Sequence, residues 1–398
     1  MEHQSFLDLG VSAVVAEVLA RKGMPSPFPI QELVIPDGIA GNDVLAKSRT
    51  GSGKTLAFAL PIIERLDPDA PRPAALILVP TRELAVQVAE DIADVAAVKK
   101  LYTAAAYGGV TISTQAKAVN RAQILIATPG RLDDLVNRRM VRLDKVRILI
   151  LDEADRMLDM GFLPQVARIV KHVPKDRQTM FFSATLDGDV ARIANSYTRD
   201  PQRHEVHSDN MLVDEAQHRF ISVDSGNKVD ALVKLLQEDR GLALVFVRTK
   251  RGADRLTQKL KARGLRAEAM HGDMGQPQRQ RALARFEAGK IDTLVATDVA
   301  ARGLDLDRIT HVVNFDPPED HKDYVHRVGR TARAGRTGHG VTFVQPEQEG
   351  DMSRIASRLR LQDEFKESGM HVAAPQVVYS SNRGRKSLLY KPRRRRVL

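Results

Sequence analysis

The chain has 398 residues, of which 43% are apolar and 28% charged, and a net charge of +11; this is a soluble globular composition on a length that calls for two domains. With no cysteine it can build neither a disulfide framework nor a thiolate zinc site. No apolar run approaches the ~18 residues of a membrane span, and the polar, acidic start does not read as a signal peptide, so a cytoplasmic protein without a membrane partner is expected.

A short strand is expected over 43–46, then a turn holding Thr50, Gly51, Ser52 and Gly53, then a helix from Lys54 to about residue 65. In that setting the backbone N–H groups of the turn and the helix N-terminus bind phosphates, Lys54 adds a positive charge, and Thr55 ligates magnesium. The strict form of this motif has glycine where the chain has Ser48. Strand and helix then alternate: 75–79 before 82–97, 124–127 before 130–137, and a strand over 146–151 that runs into Asp152, Glu153, Ala154 and Asp155. Three carboxylates within four residues repel one another, which makes best sense beside a divalent cation or a positive side chain. Asp152 is expected to hold magnesium through water and Glu153 to polarise an attacking water, roles that amount to hydrolysis of a nucleoside triphosphate.

Beyond the apolar strand 180–182, Ser183-Ala184-Thr185 by itself reads as a capped turn. Residues 200–216 contain a proline and no sustained period, as a linker does. His204, His207 and His218 lie in or beside it and read as surface histidines rather than a metal site. A second series follows, with strands over 220–223, 242–247, 293–296 and 311–315 and helices over 228–237, 252–263 and 276–288. Alternation of this kind places the chain in the α/β class, each parallel sheet covered on both faces. From residue 371 onward eight Lys or Arg (Arg383, Arg385, Lys386, Lys391 and Arg393 to Arg396) occur without an acid. That end reads as a disordered basic arm, and the rest of the chain is nearly balanced in charge. The expected division is 1–205, a linker at 206–216, 217–366, and a tail at 367–398.

Taken together these motifs resemble the DEAD-box RNA helicase family. Gln31 in PFPIQ, SRTGSGKT at 48–55, PTREL at 80–84, Gly108-Gly109, TPGR at 128–131, DEAD at 152–155 and SAT at 183–185 occur in family order. VFVRT at 245–249, HGDMGQPQR at 271–279, ATDVAARGLD at 296–305 and HRVGRTAR at 326–333 continue it. The resemblance implies two tandem RecA-like domains closing over ATP and RNA, with ATP and magnesium as cofactors. It implies that Gln31 reads the adenine edge, Phe6 packs near the base, and Asp305 contacts the ribose. Arg330 and Arg333 would reach the γ-phosphate from the second domain, where guanidinium groups stabilise charge only when the cleft closes.

RNA contacts would come from Thr81, Arg82, Gly109, Thr128 and Arg131 in the first domain and from Arg279, Thr297 and Gly303 in the second. Hydroxyls, backbone groups and isolated cations suit phosphate and sugar, so binding independent of sequence follows; few aromatics flank these positions to stack bases. Ser183 and Thr185, with Asp155 and His326, would couple the two ligands. The chain departs from the family at Met24, Phe28, Ser48, Arg49 and Ala332; Met24 and Phe28 bear on adenine selection and Ala332 on the approach of the arginine fingers. The expected protein is a monomeric ATP-dependent RNA helicase that separates short duplexes or remodels ribonucleoprotein, with partners in RNA decay or ribosome assembly. An ATP-gated RNA clamp in a larger assembly uses the same site and is the alternative; a DNA-translocating motor is disfavoured by the Q, DEAD and SAT motifs.

Overall fold

The computed structural model describes residues 4–48, 52–186, 188–206, 216–238, 240–301, 308–332 and 337–372. Seven strands form the first sheet: β1 (Val44–Lys47), β2 (Ala75–Leu78), β3 (Thr103–Ala106), β4 (Ile124–Ala127), β5 (Ile148–Leu151), β6 (Gln178–Ser183) and β7 (Gln202–Glu205). Their spatial order is β3-β4-β2-β5-β6-β1-β7. The second sheet comprises β8 (Ala216–Ser222), β9 (Leu242–Phe246), β10 (Ala267–Met270), β11 (Thr293–Ala296), β12 (Ile309–Asn314) and β13 (Gly338–Val344), in the order β10-β11-β9-β12-β13-β8. Every pairing in both sheets is parallel.

The central strands ALIL, ILIA and ILIL are buried throughout, as strands covered by helices on both faces must be. Because side chains alternate across a strand, Ala75 and Ile77 enter the core on one face of the first sheet while Leu76 and Leu78 enter the core on the other. The second sheet divides the same way, Ala243 and Val245 against Leu244 and Phe246.

The stretch read as linker holds β7, which pairs with β1 and extends the first sheet; His204 on this strand bonds to Asp37 at 2.8 Å. Its polar, mostly exposed sequence QRHE carries no apolar alternation to betray an edge strand. Ala216, placed at the end of the linker, already begins β8. The folded chain also continues beyond residue 366: Phe365 and Met370 are buried in a cluster with Phe220 and Tyr324. His218 is not a surface histidine either, since its Nδ1 lies 2.9 Å from the Tyr324 hydroxyl and burial lowers its pKa to about 4. His207 and the basic arm from residue 373 lie outside the described residues.

Candidate active site between the two sheets

Strand order explains how the motifs meet. In a parallel sheet the chain leaves every strand on the same edge, where ligands of open α/β folds bind. The neighbours β5, β6 and β1 deliver Asp152–Asp155, Ser183–Thr185 and the glycine turn side by side, while β4 and β2 deliver Thr128 and Thr81 farther along that edge. The carboxylates and the turn thus occupy one half of the edge, and the expected RNA contacts the other.

Gly53 caps the helix Lys54–Arg65 with φ +86°, a left-handed conformation suited to glycine. A Cβ there would lie 2.6 Å from Gln31 Nε2 and 2.8 Å from Phe28 Cδ2. Gln31, 1% exposed, donates to the Gly53 carbonyl at 2.9 Å and accepts from the Phe28 N–H at 2.9 Å. Its side chain therefore braces the glycine turn, and one further hydrogen bond remains open to each end of the amide. The Ser48 N–H donates to the Ser183 carbonyl at 3.0 Å, tying the start of the turn to the SAT segment. Ser52 and Thr55 border the turn; Thr50 and Gly51 fall outside the described residues.

Lys54 is buried, its Nζ 3.3 Å from the Ser48 carbonyl and 3.9 Å from Asp152 Oδ1. Burial pushes the Asp152 carboxyl up to about 6, with Lys54 opposing and the carboxylates of Glu153 and Asp155 adding to the rise. Glu153 caps the next helix in a left-handed conformation, φ 51° and ψ 48°, the sort of strain that functional sites retain. Burial raises its pKa, but the positive charges of Arg156, Lys54 and Arg330 prevail and hold it down at about 2. Asp155 accepts the Ala184 N–H at 3.1 Å and the Arg156 N–H at 3.0 Å.

The three carboxylates of the acidic quartet thus have separate surroundings, with positive side chains beside Asp152 and Glu153. Among the described residues no group of three His, Asp or Glu side chains could hold a metal, because each carboxylate turns to a partner of its own. Magnesium brought with a nucleotide needs less: it keeps several waters and binds through one or two carboxylates plus phosphate oxygens. A single buried carboxylate at Asp152, with the Thr55 hydroxyl one residue beyond Lys54, fits that requirement.

Phe6, 3% exposed, packs in the first domain's core.

The second domain meets this edge directly. His326 Nδ1 lies 3.4 Å from Arg156 Nη2, and the His326 carbonyl accepts from Arg330 Nε at 3.3 Å, so the helix His321–Val328 and Arg330 face the Glu153 side of the first sheet. Arg330 is 3% exposed. Thr185 Oγ1 is buried with no partner among the described residues, while its N–H donates to Ser183 Oγ at 3.3 Å. Ala332, where the family has glycine, adopts φ +54°; its methyl is held in a conformation that glycine accepts freely.

The expected RNA contacts line both sides of the cleft. Thr81 and Thr128 precede the helices Arg82–Ala97 and Pro129–Asn137, and Thr81 Oγ1 accepts the Leu84 N–H at 3.3 Å. Arg82 packs against Gly108, where a Cβ would come within 2.9 Å of its Nη2; Gly109 has φ +88°. Arg131 donates to the Val110 carbonyl at 3.0 Å. Across the cleft, Thr297 opens the short helix Asp298–Ala301, and Arg279 pairs with Glu83 at 2.9 Å. Gly303, Asp305 and Arg333 lie outside the described residues.

Sequence reasoning missed Glu83 and Arg156. The spacing of Arg156 three residues after Glu153 was a usable signal, since such pairs share a helix face. Its neighbour His326, 170 residues away, left no local trace.

Residues 28–193 match the DEAD/DEAH box helicase family and residues 227–335 the helicase conserved C-terminal domain. The chain is 44% identical to the DEAD-box ATP-dependent RNA helicase CshA of Bacillus licheniformis over 88% of its own length and 72% of that protein. It is 41% identical to CshA of Bacillus subtilis over 91% of its length and 74% of the relative. Among solved structures, S. cerevisiae Dbp5 bound to RNA and ADP BeF3 matches with a TM-score of 0.82 at 31% identity, covering 91% of this chain and 97% of that one. A DEAD box protein from Methanococcus jannaschii is more similar in sequence, 36%, yet matches with a TM-score of only 0.53 over 91% of this chain and 98% of that one. Over its whole length the chain thus superposes better on the RNA-bound Dbp5 structure than on the M. jannaschii protein. The chain belongs to the family of DEAD-box ATP-dependent RNA helicases.

Proposed function

We propose that the chain binds ATP on the carboxyl edge of its first sheet, closes its second domain over ATP and RNA together, and uses hydrolysis to reopen. The observation that carries this reading is the approach of His326 and Arg330 to Glu153 in an arrangement like that of RNA-bound Dbp5. Lys54 and the glycine turn of Thr50, Gly51, Ser52 and Gly53 hold the phosphates. Asp152 and Thr55 would hold a magnesium ion, which would supply charge neutralisation for the phosphates.

Glu153 accepts the proton of the attacking water, and Arg330 with Arg333 stabilises the charge that spreads over the transferred phosphoryl group. Gln31 sets the glycine turn and offers its remaining hydrogen bonds to the base, and Asp305 contacts the ribose. Thr81, Arg82, Gly109, Thr128, Arg131, Arg279, Thr297 and Gly303 hold phosphates and sugars, which leaves binding independent of sequence. Ser183, Thr185, Asp155 and His326 couple the two ligands: Asp155 grips the Ala184 N–H while Ser183 anchors Ser48, so a shift of the SAT segment is felt at the phosphates.

Closure on one strand of a short duplex bends it away from its partner and breaks pairing locally. Only a ligand that favours the closed form can drive this change, and ATP bridging two domains does. We assign the domain division to 206–215, with folded structure through Val372, and place the protein in the cytoplasm as a monomer acting on ribonucleoprotein; bacterial relatives that are RNA helicases support that setting.

The test compares the wild type with Glu153→Gln. The variant is expected to bind ATP and RNA yet lose multiple turnover, and equal turnover in the two proteins would remove Glu153 from its role. Steady RNA-stimulated ATPase with release of short duplexes supports the helicase, whereas RNA complexes that outlast many ATP-binding events support the clamp.

A further inference from the structure

Among the described residues Arg156 is one of the largest fully buried side chains, at 2% exposure, and neither ATP chemistry nor RNA contact accounts for it. Its Nη1 donates to Glu153 Oε2 at 2.7 Å, its Nη2 faces His326 Nδ1 at 3.4 Å, and its Nε is buried with no acceptor among the described residues. Burying a guanidinium is costly unless its donors are satisfied, so a group left short of one acceptor is poorly explained as a stabilising device.

Its geometry suits another task. The planar fork presents two nitrogens at a fixed angle, so one residue holds two partners in a defined relation, which an ammonium cannot do. One partner belongs to the first domain and the other to the second, so the second contact depends on how the two domains sit.

We propose that Arg156 is a positioning residue that transmits domain closure to Glu153, with His326 orienting the guanidinium and the guanidinium fixing the carboxylate that receives the proton of the attacking water. The proposal rests on the role given to Glu153 above. Glu153 has a strained backbone and several side-chain torsions, and a carboxylate not held at its angle would sample orientations unable to reach the water. A water-activating group must lie within hydrogen-bond reach of the proton it takes, so holding its angle is worth rate without adding affinity. Donation from Nη2 to Nδ1 also requires neutral His326 with its proton on Nε2. His326 would then serve as a structural acceptor from the second domain.

The test uses the full chain and three readouts: the RNA-stimulated kcat, the KM for ATP, and RNA affinity with a non-hydrolysable ATP analogue. Arg156→Lys keeps the buried charge but loses the fork. It is expected to lower kcat by about tenfold or more while KM and RNA affinity stay within about threefold, the pattern of an interaction made only in the transition state. His326→Ala is expected to lower kcat likewise. The double variant should fall little below the worse single one, because coupled residues are not additive.

Wild-type kcat in Arg156→Lys, or losses that multiply in the double variant, would overturn the link. If Arg156→Lys unfolds, Arg156→Gln combined with Glu153→Gln, which removes the charge pair together, gives the comparison with Glu153→Gln alone: equal RNA affinity in the presence of the analogue supports a positioning role, and a loss specific to the pair overturns it. Failure of the underlying reading is seen separately, as RNA-stimulated turnover that Glu153→Gln leaves intact.

Discussion

Glu83 of the first domain and Arg279 of the second approach to 2.9 Å across the cleft, with side chains only 10% and 11% exposed. The Glu83 oxygen is not aligned for a hydrogen bond, so the contact is an electrostatic latch. It lies beside Thr81 and Arg82, where RNA phosphates are expected, and gives Arg279 two possible partners.

A charge exchange separates those roles. Glu83→Arg and Arg279→Glu, each alone, place like charges together and are expected to weaken RNA binding with an ATP analogue by about tenfold or more, as unpaired interface charges do. The combined exchange restores the latch. If Arg279 serves only closure, the double variant recovers wild-type RNA affinity; if it also holds a phosphate, recovery stays incomplete and the salt dependence of binding is shallower than in the wild type.

With the magnesium role proposed for it, Asp152 is expected to set a pH window for metal binding. Its carboxyl, raised by burial from 3.8 to about 6, keeps a proton in the folded chain that the unfolded chain has lost, so from this group alone stability falls as pH rises through that interval. Glu153 runs the other way: lowered from 4.5 to about 2, it contributes stability above the ordinary carboxylate range and loses it as pH falls toward 2. Since a metal binds the carboxylate and not the acid, affinity for magnesium-bound ATP is expected to fall by up to about tenfold per pH unit below pH about 6 and to be flat above it. Equilibrium titration with a fluorescent ATP analogue at several pH values measures this. Asp152→Asn should flatten the profile, and a wild-type profile that is already flat would exclude Asp152 as the ligand.

Motifs were legible in the sequence because backbone chemistry fixes them locally. The turn before Lys54 and the carboxylates after β5 announce themselves by glycine, charge and the apolar runs in front of them. Strand 202–205 escaped notice because an exposed edge strand carries no apolar alternation, and β13 because its sequence GHGVTFV opens with glycines that read as a turn. That Phe6 is buried in the first domain's core could not be read locally, since burial is decided by the whole fold. The Arg156–His326 and Glu83–Arg279 contacts join residues of different domains, and no local pattern foretells them.

Gln31 offers a way to tell base reading from loop support. It braces the Gly53 carbonyl, and that contact serves any triphosphate, whereas reading the adenine edge serves only ATP. Gln31→Ala is expected to raise the KM for GTP as well as for ATP, by about fivefold or more each, consistent with the ~1 kcal/mol of a lost hydrogen bond. Steady-state assays with both nucleotides give the answer. A rise confined to ATP would mean that the brace at Gly53 contributes nothing to catalysis and that Gln31 works through the base.

The basic arm can be removed without disturbing the core if the cut respects Met370 and Val372, which pack in the cluster around Phe220 and Phe365. Truncation after Val372 deletes all eight cations of the arm and no acid. Each phosphate contact on a single strand contributes roughly 0.7 to the slope of log affinity against log salt, so an arm using even four of its cations should reduce that slope by roughly 3. The melting temperature is expected not to move, because the cut keeps the cluster around Phe220 and Phe365 whole among the described residues. Fluorescence anisotropy with a single-stranded RNA across several salt concentrations measures the slope. A truncated chain with the wild-type slope would show that RNA is held by the two-domain cleft alone, and the arm would then have to be sought among contacts with other anionic partners.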